Sequence, residues 1–262
     1  MGRHVNQIIL MTLVFGIVTM GCDFASSPDS GPMIREARPV SGITGVELAT
    51  RGKLFITLGE TESLEIEGGE NRIPLIRTAV QNGMLKIDED KSSSLGSKEK
   101  LYYHLTVKRL NLIKISSSGD IEAPDLEGQK LALIISSSGD LETGVLTVPA
   151  LDINISSSGD MKIREIKGYK LLVHISSSGD LAIGGGAVEV QDIKISSSGD
   201  YNAKNLASKS AMVHLSSSGD ATIRVSDALN ANTSSSGNVF YAGDPEVKKI
   251  STSSGDVQKI AD

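Results

Sequence analysis

Ser116-Ser117-Ser118-Gly119-Asp120 is the first of six identical pentapeptides that follow one another at intervals of 20 residues. The other five begin at Ser136, Ser156, Ser176, Ser196 and Ser216, and two degenerate copies follow at a spacing of 18, Ser234–Asn238 and Thr252–Asp256. A fixed period of this length is typical of a repeat protein in which one small unit stacks on copies of itself. The second half of the chain is therefore predicted to be about eight stacked units.

The residues around each pentapeptide alternate between apolar and polar, as in strands that bury one face. Ile113 and Ile115 precede the first copy, and the same alternation passes through Ser117 to Ile121 beyond the glycine. Aliphatic residues hold most of these places in the other copies. We therefore predict stacked aliphatic columns inside the array, a row of inward middle serines, and glycines that need either a positive φ or a close approach of backbones.

Twenty residues suffice for two or three short strands with turns, which is one coil of a parallel β-solenoid. Such crossovers are right-handed by default. The predicted fold is therefore all-β: a right-handed parallel β-solenoid (β-helix) of about eight 18–20-residue repeats over residues 113–262, preceded by a β-rich N-terminal section over residues 41–112.

A second period of 40 residues leaves an alternative open. Asp152 and Asp192 recur in alternate repeats, as do His174 and His214. Each 20-residue unit could then be a half-coil, or the array could have grown by duplication of a pair. One coil per repeat is favoured because a 40-residue coil would need a wider core than these side chains can fill.

The N-terminal section reads as strands separated by turns. Alternating segments cover Lys53–Leu58, Ser63–Glu67, Met84–Ile87 and Leu101–Val107. Asn82-Gly83 is a strong hairpin signal. Residues 91–100, rich in serine and charge, are predicted to form an exposed loop.

The first 40 residues are predicted to export and anchor the chain. Residues 1–21 have the n-region and short apolar h-region of a signal peptide, with Ile8–Met20 too short to span a bilayer. Cys22, the only cysteine, follows directly and resembles the lipidated cysteine of a bacterial lipobox. Residues 22–40 are predicted to be the lipidated cysteine and a flexible tether, so the membrane is an expected partner.

Composition and motifs exclude several functions. The formal charge of −6 and the absence of a basic face argue against nucleic acid as a partner. No Gly-x-Ser-x-Gly elbow is present, and the acidic residues recur monotonously where an active site would be unique. We therefore predict neither catalytic activity nor a cofactor.

The turn ladder is the most distinctive candidate site. It comprises glycine and aspartate pairs at one place in each repeat: Gly119, Asp120, Gly139, Asp140, Gly159, Asp160, Gly179, Asp180, Gly199, Asp200, Gly219 and Asp220. Carboxylates stacked at about 4.8 Å repel one another. Either turn N–H groups offset this repulsion by hydrogen bonding, or Ca²⁺ bridges the carboxylates. The first alternative is favoured, so no metal site is predicted.

The N-terminal strands and the tandem turns together resemble the bacterial putative autotransporter-adhesin family, also called the head GIN domain. The resemblance rests on Gly45-Val46-Glu47-Leu48, on Leu64–Asn71, on Asn82–Ile87 and on the tandem Ser-Gly-Asp turns, and it covers roughly residues 40–262. It implies a right-handed β-helix of pectin-lyase-like appearance, without known catalytic residues, and a role in adhesion. The usual family turn is Gly-Ser-Gly-Asp, and serine replaces its first glycine here.

The sequence thus favours a lipid-anchored bacterial cell-envelope protein that binds a glycan or protein ligand or associates with copies of itself. Two alternatives remain. One is a carbohydrate-active enzyme on a pectin-lyase-like scaffold, and the other is a periplasmic accessory of an envelope signalling system.

Overall fold

Strands make up 60% of the residues that the structure describes, and these strands form a β-solenoid of about seven turns. The computed structural model describes residues 30–90 and 100–261. In this part of the chain the one helix is a 3-10 turn, Ile73–Leu75. The prediction of an all-β solenoid is confirmed.

Seven strands precede the repeat array, and seventeen belong to it. The first seven are β1 (Met33–Arg38), β2 (Gly45–Ala49), β3 (Lys53–Leu58), β4 (Ser63–Gly69), β5 (Ile76–Gln81), β6 (Met84–Glu89) and β7 (Tyr102–Val107). The array comprises β8 (Leu112–Ile115), β9 (Asp120–Ala123), β10 (Leu126–Glu127), β11 (Lys130–Ile135), β12 (Leu141–Thr147), β13 (Ala150–Ile155), β14 (Met161–Lys167), β15 (Lys170–Ile175), β16 (Leu181–Ile183), β17 (Gly186–Ile195), β18 (Tyr201–Ala203), β19 (Leu206–Leu215), β20 (Ala221–Arg224), β21 (Ala228–Thr233), β22 (Val239–Ala242), β23 (Glu246–Ser251) and β24 (Val257–Lys259).

Each 20-residue repeat is one full coil. Leu131 pairs in parallel with Leu151, and Leu151 pairs with Leu171, so neighbouring strands are offset by one repeat. The half-coil alternative is therefore wrong. The 40-residue period reflects instead the side chains on the outer surface, where Asp152 and Asp192 both lie.

The coil has three faces. Face 1 contains β8, β11, β13, β15, the second half of β17, the second half of β19, β21 and β23, which are eight strands in parallel register. Face 2 follows the pentapeptide and contains β9, the first halves of β12 and β14, β16, β18, β20, β22 and β24. Face 3 is shorter and contains β10, the second halves of β12 and β14, and the first halves of β17 and β19.

Aliphatic columns fill the interior as the alternation predicts. Ile153, Val173 and Ile193 stack in one such column, and each is fully buried. The middle serines differ from the prediction, since Ser137 and its equivalents are only half-buried. The backbone bends at this corner, so the buried residue there is the following glycine and the serine remains near solvent.

The ladder glycines are required by close packing. A Cβ on Gly159 would lie 2.2 Å from the carbonyl oxygen of Gly139 in the coil below. None of the ladder glycines is among the described residues with positive φ. Of the two reasons that the sequence left open, close approach of backbones is therefore the one that applies.

The N-terminal section closes one end of the solenoid. On face 1, β2 pairs with β8, β6 pairs with β2 on its other side, and β5 pairs antiparallel with β6. On face 2 the corresponding order is β9, β3, β7, β4 and β1. The pairs β9–β3 and β3–β7 are parallel, whereas β7–β4 and β4–β1 are antiparallel. Asn82 and Gly83 have positive φ and form the predicted hairpin turn between β5 and β6. These added strands cover edges that would otherwise be open to pairing.

One boundary of the sequence prediction is wrong. Residues 33–38, assigned to the tether, form β1 and pair with β4 along its whole length. The exposed outward residues of β1, such as Met33 and Arg35, concealed the pattern of an edge strand. The signal peptide, Cys22 and residues 91–99 of the loop predicted over 91–100 lie outside the described residues.

Candidate functional site

The aspartates of the ladder are joined by hydrogen bonds between coils. The backbone N–H of Asp140 donates to Oδ1 of Asp120 at 3.0 Å, and the N–H of Asp160 donates to Oδ1 of Asp140 at 2.8 Å. The same bond, 2.8–2.9 Å long, continues through Asp180, Asp200 and Asp220. Each side chain is thus an acceptor for the turn of the next coil.

The upper end of the ladder shows that a neutral side chain can replace the carboxylate. The N–H of Asn238 donates to Oδ1 of Asp220 at 2.6 Å. The amide oxygen of Asn238 then accepts from the N–H of Asp256 at 3.1 Å. The ladder therefore depends on an acceptor oxygen rather than on the negative charge.

The ladder and the other acidic and histidine side chains do not form a metal centre. Within residues 30–90 and 100–261, no group of three or more His, Cys, Asp or Glu side chains has a geometry that could hold a metal ion. His174 and His214, which recur two repeats apart, lie on either side of Lys194 on face 1. Their outward positions place them on the protein surface rather than in a shared site.

A groove of about 570 Å³ lies where face 2 turns into face 3. Its walls carry Glu122, Glu142 and Lys162, which occupy one outward row on adjacent strands. Glu122 is ion-paired with Lys53 at 2.9 Å, and Asp125 with Arg164 at 2.7 Å. Two of the groove carboxylates, Glu122 and Asp125, are thus engaged by neighbouring cations.

Face 2 carries a small aromatic cluster near the N-terminal end. The rings of Phe55 and His104 are stacked with centroids 5.4 Å apart, and Nζ of Lys53 lies 5.0 Å from the Phe55 centroid. Phe55 and His104 are paired on the adjacent strands β3 and β7, so their rings stack face to face. The ring faces are therefore covered by one another.

The junction between the N-terminal section and the array contains Glu47, whose pKa is clearly shifted. Burial raises the pKa of the Glu47 carboxyl, but hydrogen bonds from Ser116 at 2.7 Å and from Lys114 at 3.0 Å outweigh it. The pKa therefore lies below its ordinary value. This arrangement fixes β2 to β8 and has the character of a structural ion pair.

A buried polar network interrupts the aliphatic core, which sequence reasoning missed. The hydroxyl of Tyr201 donates to Oε1 of Gln191 at 2.7 Å, and Nε2 of Gln191 donates to Oγ of Ser208 at 2.9 Å. Ser208 in turn donates to the carbonyl oxygen of Arg224 at 2.8 Å. Burial raises the pKa of the Tyr201 hydroxyl. The available signal was glutamine at 191 where the three preceding repeats have leucine.

The proposed lipidation site, Cys22, lies outside the described residues. In the part of the chain that the structure describes, no helix has the length and hydrophobicity needed to cross a membrane.

Solved structures share this fold. A putative adhesin from Parabacteroides merdae ATCC 43184 has a TM-score of 0.82 and 22% sequence identity, over 88% of this chain and 97% of that chain. A putative adhesin from Parabacteroides distasonis ATCC 8503 has a TM-score of 0.81 and 22% identity, over 88% and 98% of the two chains. A putative lipid binding protein from the latter organism has a TM-score of 0.73 and 21% identity, over 88% and 97%. At such identities the likeness establishes the fold alone.

Among curated proteins, none matches the chain. A family model does match, over residues 43–245, which include the N-terminal strands and most of the array. The strand order, the ladder and this match agree with the resemblance noted in the sequence. The chain belongs to the family described as putative auto-transporter adhesin, head GIN domain.

Proposed function

We propose that this chain is a lipid-anchored adhesin of the bacterial cell envelope, which binds a glycan or protein ligand through its outer faces and catalyses no reaction. Family membership supports a non-catalytic adhesion or binding role at the envelope or surface. The finer elements, lipidation at Cys22 and binding of a specific ligand, are part of the proposal.

The observation that carries the proposal is the position of Ser30, the first residue that the structure describes. Twelve strands stack along face 2 from β1 to β24, and eleven spacings of about 4.8 Å make a rod of roughly 53 Å. The chain enters at Ser30, beside the β1 end. Eight residue steps separate Ser30 from Cys22 and span at most roughly 28 Å. An anchored chain would keep its β1 end near the membrane and present the repeats outward.

The carboxylates offer little support for an enzyme. Catalytic pairs work when their environments differ, whereas the ladder carboxylates share one hydrogen bond repeated from coil to coil. The groove carboxylates Glu122 and Asp125 are held by Lys53 and Arg164. This pattern is typical of a structural surface.

The anchor is tested by Cys22→Ser in the full chain. The variant should accumulate unprocessed or leave the membrane fraction, whereas Ser26→Ala, a nearby substitution, should not change either property. The proposed anchor is wrong if the Cys22→Ser chain fractionates with membranes and has the same mature N-terminus as the parent.

Adhesion is tested separately with cells that express the chain and cells that lack it. Expressing cells should adhere more strongly to glycan-coated or protein-coated surfaces, and Cys22→Ser should abolish the difference. Equal adhesion of expressing and non-expressing cells to all such surfaces and to one another would contradict the adhesive role.

A further inference from the structure

We propose that face 1 binds face 1 of a second copy of this chain. In this dimer the two solenoid axes are antiparallel, and the two-fold axis runs along β17. The inference deepens the proposed function, and depends on it only for the statement that the two copies belong to opposed membranes. Its basis is a symmetry in the outward side chains of face 1.

The outward side chains of face 1 form three rows that run along the solenoid. The first row is Lys130, Ala150, Lys170, Val190, Ser210, Ala228 and Glu246; the middle row is Ala132, Asp152, Leu172, Asp192, Met212, Asn230 and Lys248; the third row is Ile134, Asn154, His174, Lys194, His214, Asn232 and Ile250. β17 contributes the central member of each row.

These rows are complementary to themselves in reverse order. A rotation of 180° about an axis along β17 brings face 1 of a second copy against face 1 of the first. The facing strands then run in the same direction, but the coils of the second copy follow in the opposite order. Each row therefore faces the same row of the second copy, read in reverse. Leu172 then faces Met212 of the second copy. Because the contact is isologous, Met212 also faces Leu172 of the second copy.

The outermost members of two rows match in the same way. In the first row, Lys130 faces Glu246 of the second copy, which is a pair of opposite charges. In the third row, Ile134 faces Ile250, and Ile250 is 47% exposed in the single chain.

Three further intermediate pairs match in kind. Ala150 faces Ala228, Asn154 faces Asn232, and His174 faces His214 of the second copy. Lys170 faces Ser210 and Asp152 faces Asn230, whereas Ala132 faces Lys248, which is the one apolar residue off the axis that meets a charge. The matched pairs Leu172–Met212, Lys130–Glu246 and Ile134–Ile250 favour a second copy over an unrelated partner.

The centre of the contact contains the carboxylate of Asp192. Oδ1 of Asp192 is buried and has no hydrogen-bond partner among the described residues. Because β17 lies on the axis, Asp192 faces Asp192 and Lys194 faces Lys194 of the second copy. Each Asp192 also lies diagonally opposite a Lys194, two residues along the facing strand, and this cation, which is exposed in the single chain, would offset the repulsion between the carboxylates.

The size and polarity of face 1 suit such a contact. Seven strands from β11 to β23, six residues wide, cover about 20 Å by 30 Å. Two copies would bury roughly 1,200 Å² in total, at the lower end for a specific interface. Met212 and Tyr169, which directly precedes β15, are 51% and 61% exposed. Face 2, by contrast, carries the aspartate ladder and would repel its own copy.

The antiparallel arrangement places the two β1 ends at opposite ends of the dimer. Two chains anchored upright in the same membrane could not adopt it, whereas chains on two opposed membranes could. The dimer would therefore join neighbouring cells, with a second copy of the chain as the adhesive partner.

Cross-linking tests the axis in the full chain on cells and in detergent extracts. Val190 lies on the axis, so Val190→Cys should cross-link to itself through a short bis-maleimide, since facing strands would be about 10 Å apart. Leu172→Cys and Met212→Cys should cross-link to each other in mixtures of two differently tagged chains. Ala182→Cys, outward on face 2, is the matched control and should remain monomeric.

Charge reversal tests the register without cysteine. Lys194→Asp would place four carboxylates at the axis and should weaken dimerisation at least tenfold in sedimentation experiments. Asp192→Lys combined with Lys194→Asp should restore it. Lys162→Asp on face 2 should have no effect, which excludes a general effect of charge.

The dimer proposal is overturned if the parent chain is monomeric at about 100 μM, if Ala182→Cys cross-links as well as Val190→Cys, or if Lys194→Asp dimerises like the parent. These readouts do not require the lipid or a cell, so they can fail while the adhesion assay succeeds. If the dimer forms in solution but mixed cells expressing Lys194→Asp aggregate normally, the link to opposed membranes is wrong.

Discussion

The backbone N–H of Asp180 donates a hydrogen bond of 2.9 Å to Oδ1 of Asp160, one coil earlier. This relationship, repeated along the array, makes each carboxylate part of the backbone pairing of the next turn. Adjacent carboxylates at about 4.8 Å repel by roughly 0.9 kcal/mol in water before salt screening. The hydrogen bond is of similar magnitude, so the two effects are expected to offset one another.

Asp160→Asn and Asp180→Asn should each leave the free energy of unfolding within about 0.5 kcal/mol of the parent, or raise it slightly. The amide oxygen remains an acceptor, as Asn238 shows, and the repulsion is relieved. Asp160→Ala removes the acceptor and should cost about 0.5–1.5 kcal/mol. Urea denaturation of the three variants checks the order.

The effect of calcium on the stability of the parent and of the same Asn variants distinguishes hydrogen bonding from metal binding in the ladder. If Ca²⁺ bridged the carboxylates, a hundredfold excess over Kd would stabilise the parent by about 2.7 kcal/mol, and the double Asn variant would lose this gain. We expect the melting temperature of the parent to be unchanged by calcium. A rise of several degrees that disappears in the double variant would show that the ladder is a metal site.

Gly159→Ala should destabilise the solenoid by about 3 kcal/mol. The new Cβ would lie 2.2 Å from the carbonyl oxygen of Gly139, which is backbone and cannot move without separating two coils. Gly128→Ala is the control, because the nearest atom to its added Cβ is 3.9 Å away. Thermal and urea unfolding of both variants should separate them; similar stability of the two would show that the coils can move apart.

The repeat made most of the array predictable because each coil meets the same environment as the next. Alternation alone identified the buried columns that contain Ile153 and Val173. It could not reveal why Gly159 is needed, since both a positive φ and a close contact select glycine. It also could not show that β6 and β7 lie beyond β2 and β3, because chain order and spatial order differ at the capped end.

Tyr201→Phe should cost about 1–3 kcal/mol, because it leaves Oε1 of Gln191 buried without its donor. Combining it with Gln191→Leu should recover most of the loss. Leucine occupies the paired position 171, and Ser208 keeps its bond to the Arg224 carbonyl. Urea denaturation of both single variants and the double variant gives the coupling energy. Additive losses would mean that the two side chains act independently.

The candidate surfaces were less accessible to prediction than the core. The ladder was visible as a row of aspartates, yet its bonds cross between coils and join Asp160 to Asp180 rather than closing a local turn. The match between Leu172 and Met212 emerges only when the register of face 1 is known. A repeat predicts which residues share a row, but what the row can bind depends on the residues that differ from one coil to the next.

At the last coil, the register of a core column continues to a charged residue, Lys249, whose side chain is 56% exposed. Lys249 occupies the inward position that Val213 and Ala231 hold in the two preceding coils. Its Nζ lies 3.3 Å from Oδ1 of Asp256. The hydrogen bond from the N–H of Val257 lowers the pKa of the Asp256 carboxyl, and Lys249 lowers this pKa to a smaller extent. An inward charge on an edge strand prevents further strands from adding, so this coil is expected to keep the open end of the solenoid from pairing with another copy.

Lys249→Leu should therefore convert the chain to end-to-end oligomers, because it continues the apolar column to an unpaired edge. The measurement is sedimentation in the Lys194→Asp background, in which association through face 1 is expected to be suppressed. Gln258→Leu adds the same side chain to an outward position of the last coil, and should leave the assembly state unchanged. If both variants sediment as the Lys194→Asp chain does, the polar remainder of the coil is sufficient to block pairing. Oligomers of Lys249→Leu alone would identify one charge as the device that ends the stack.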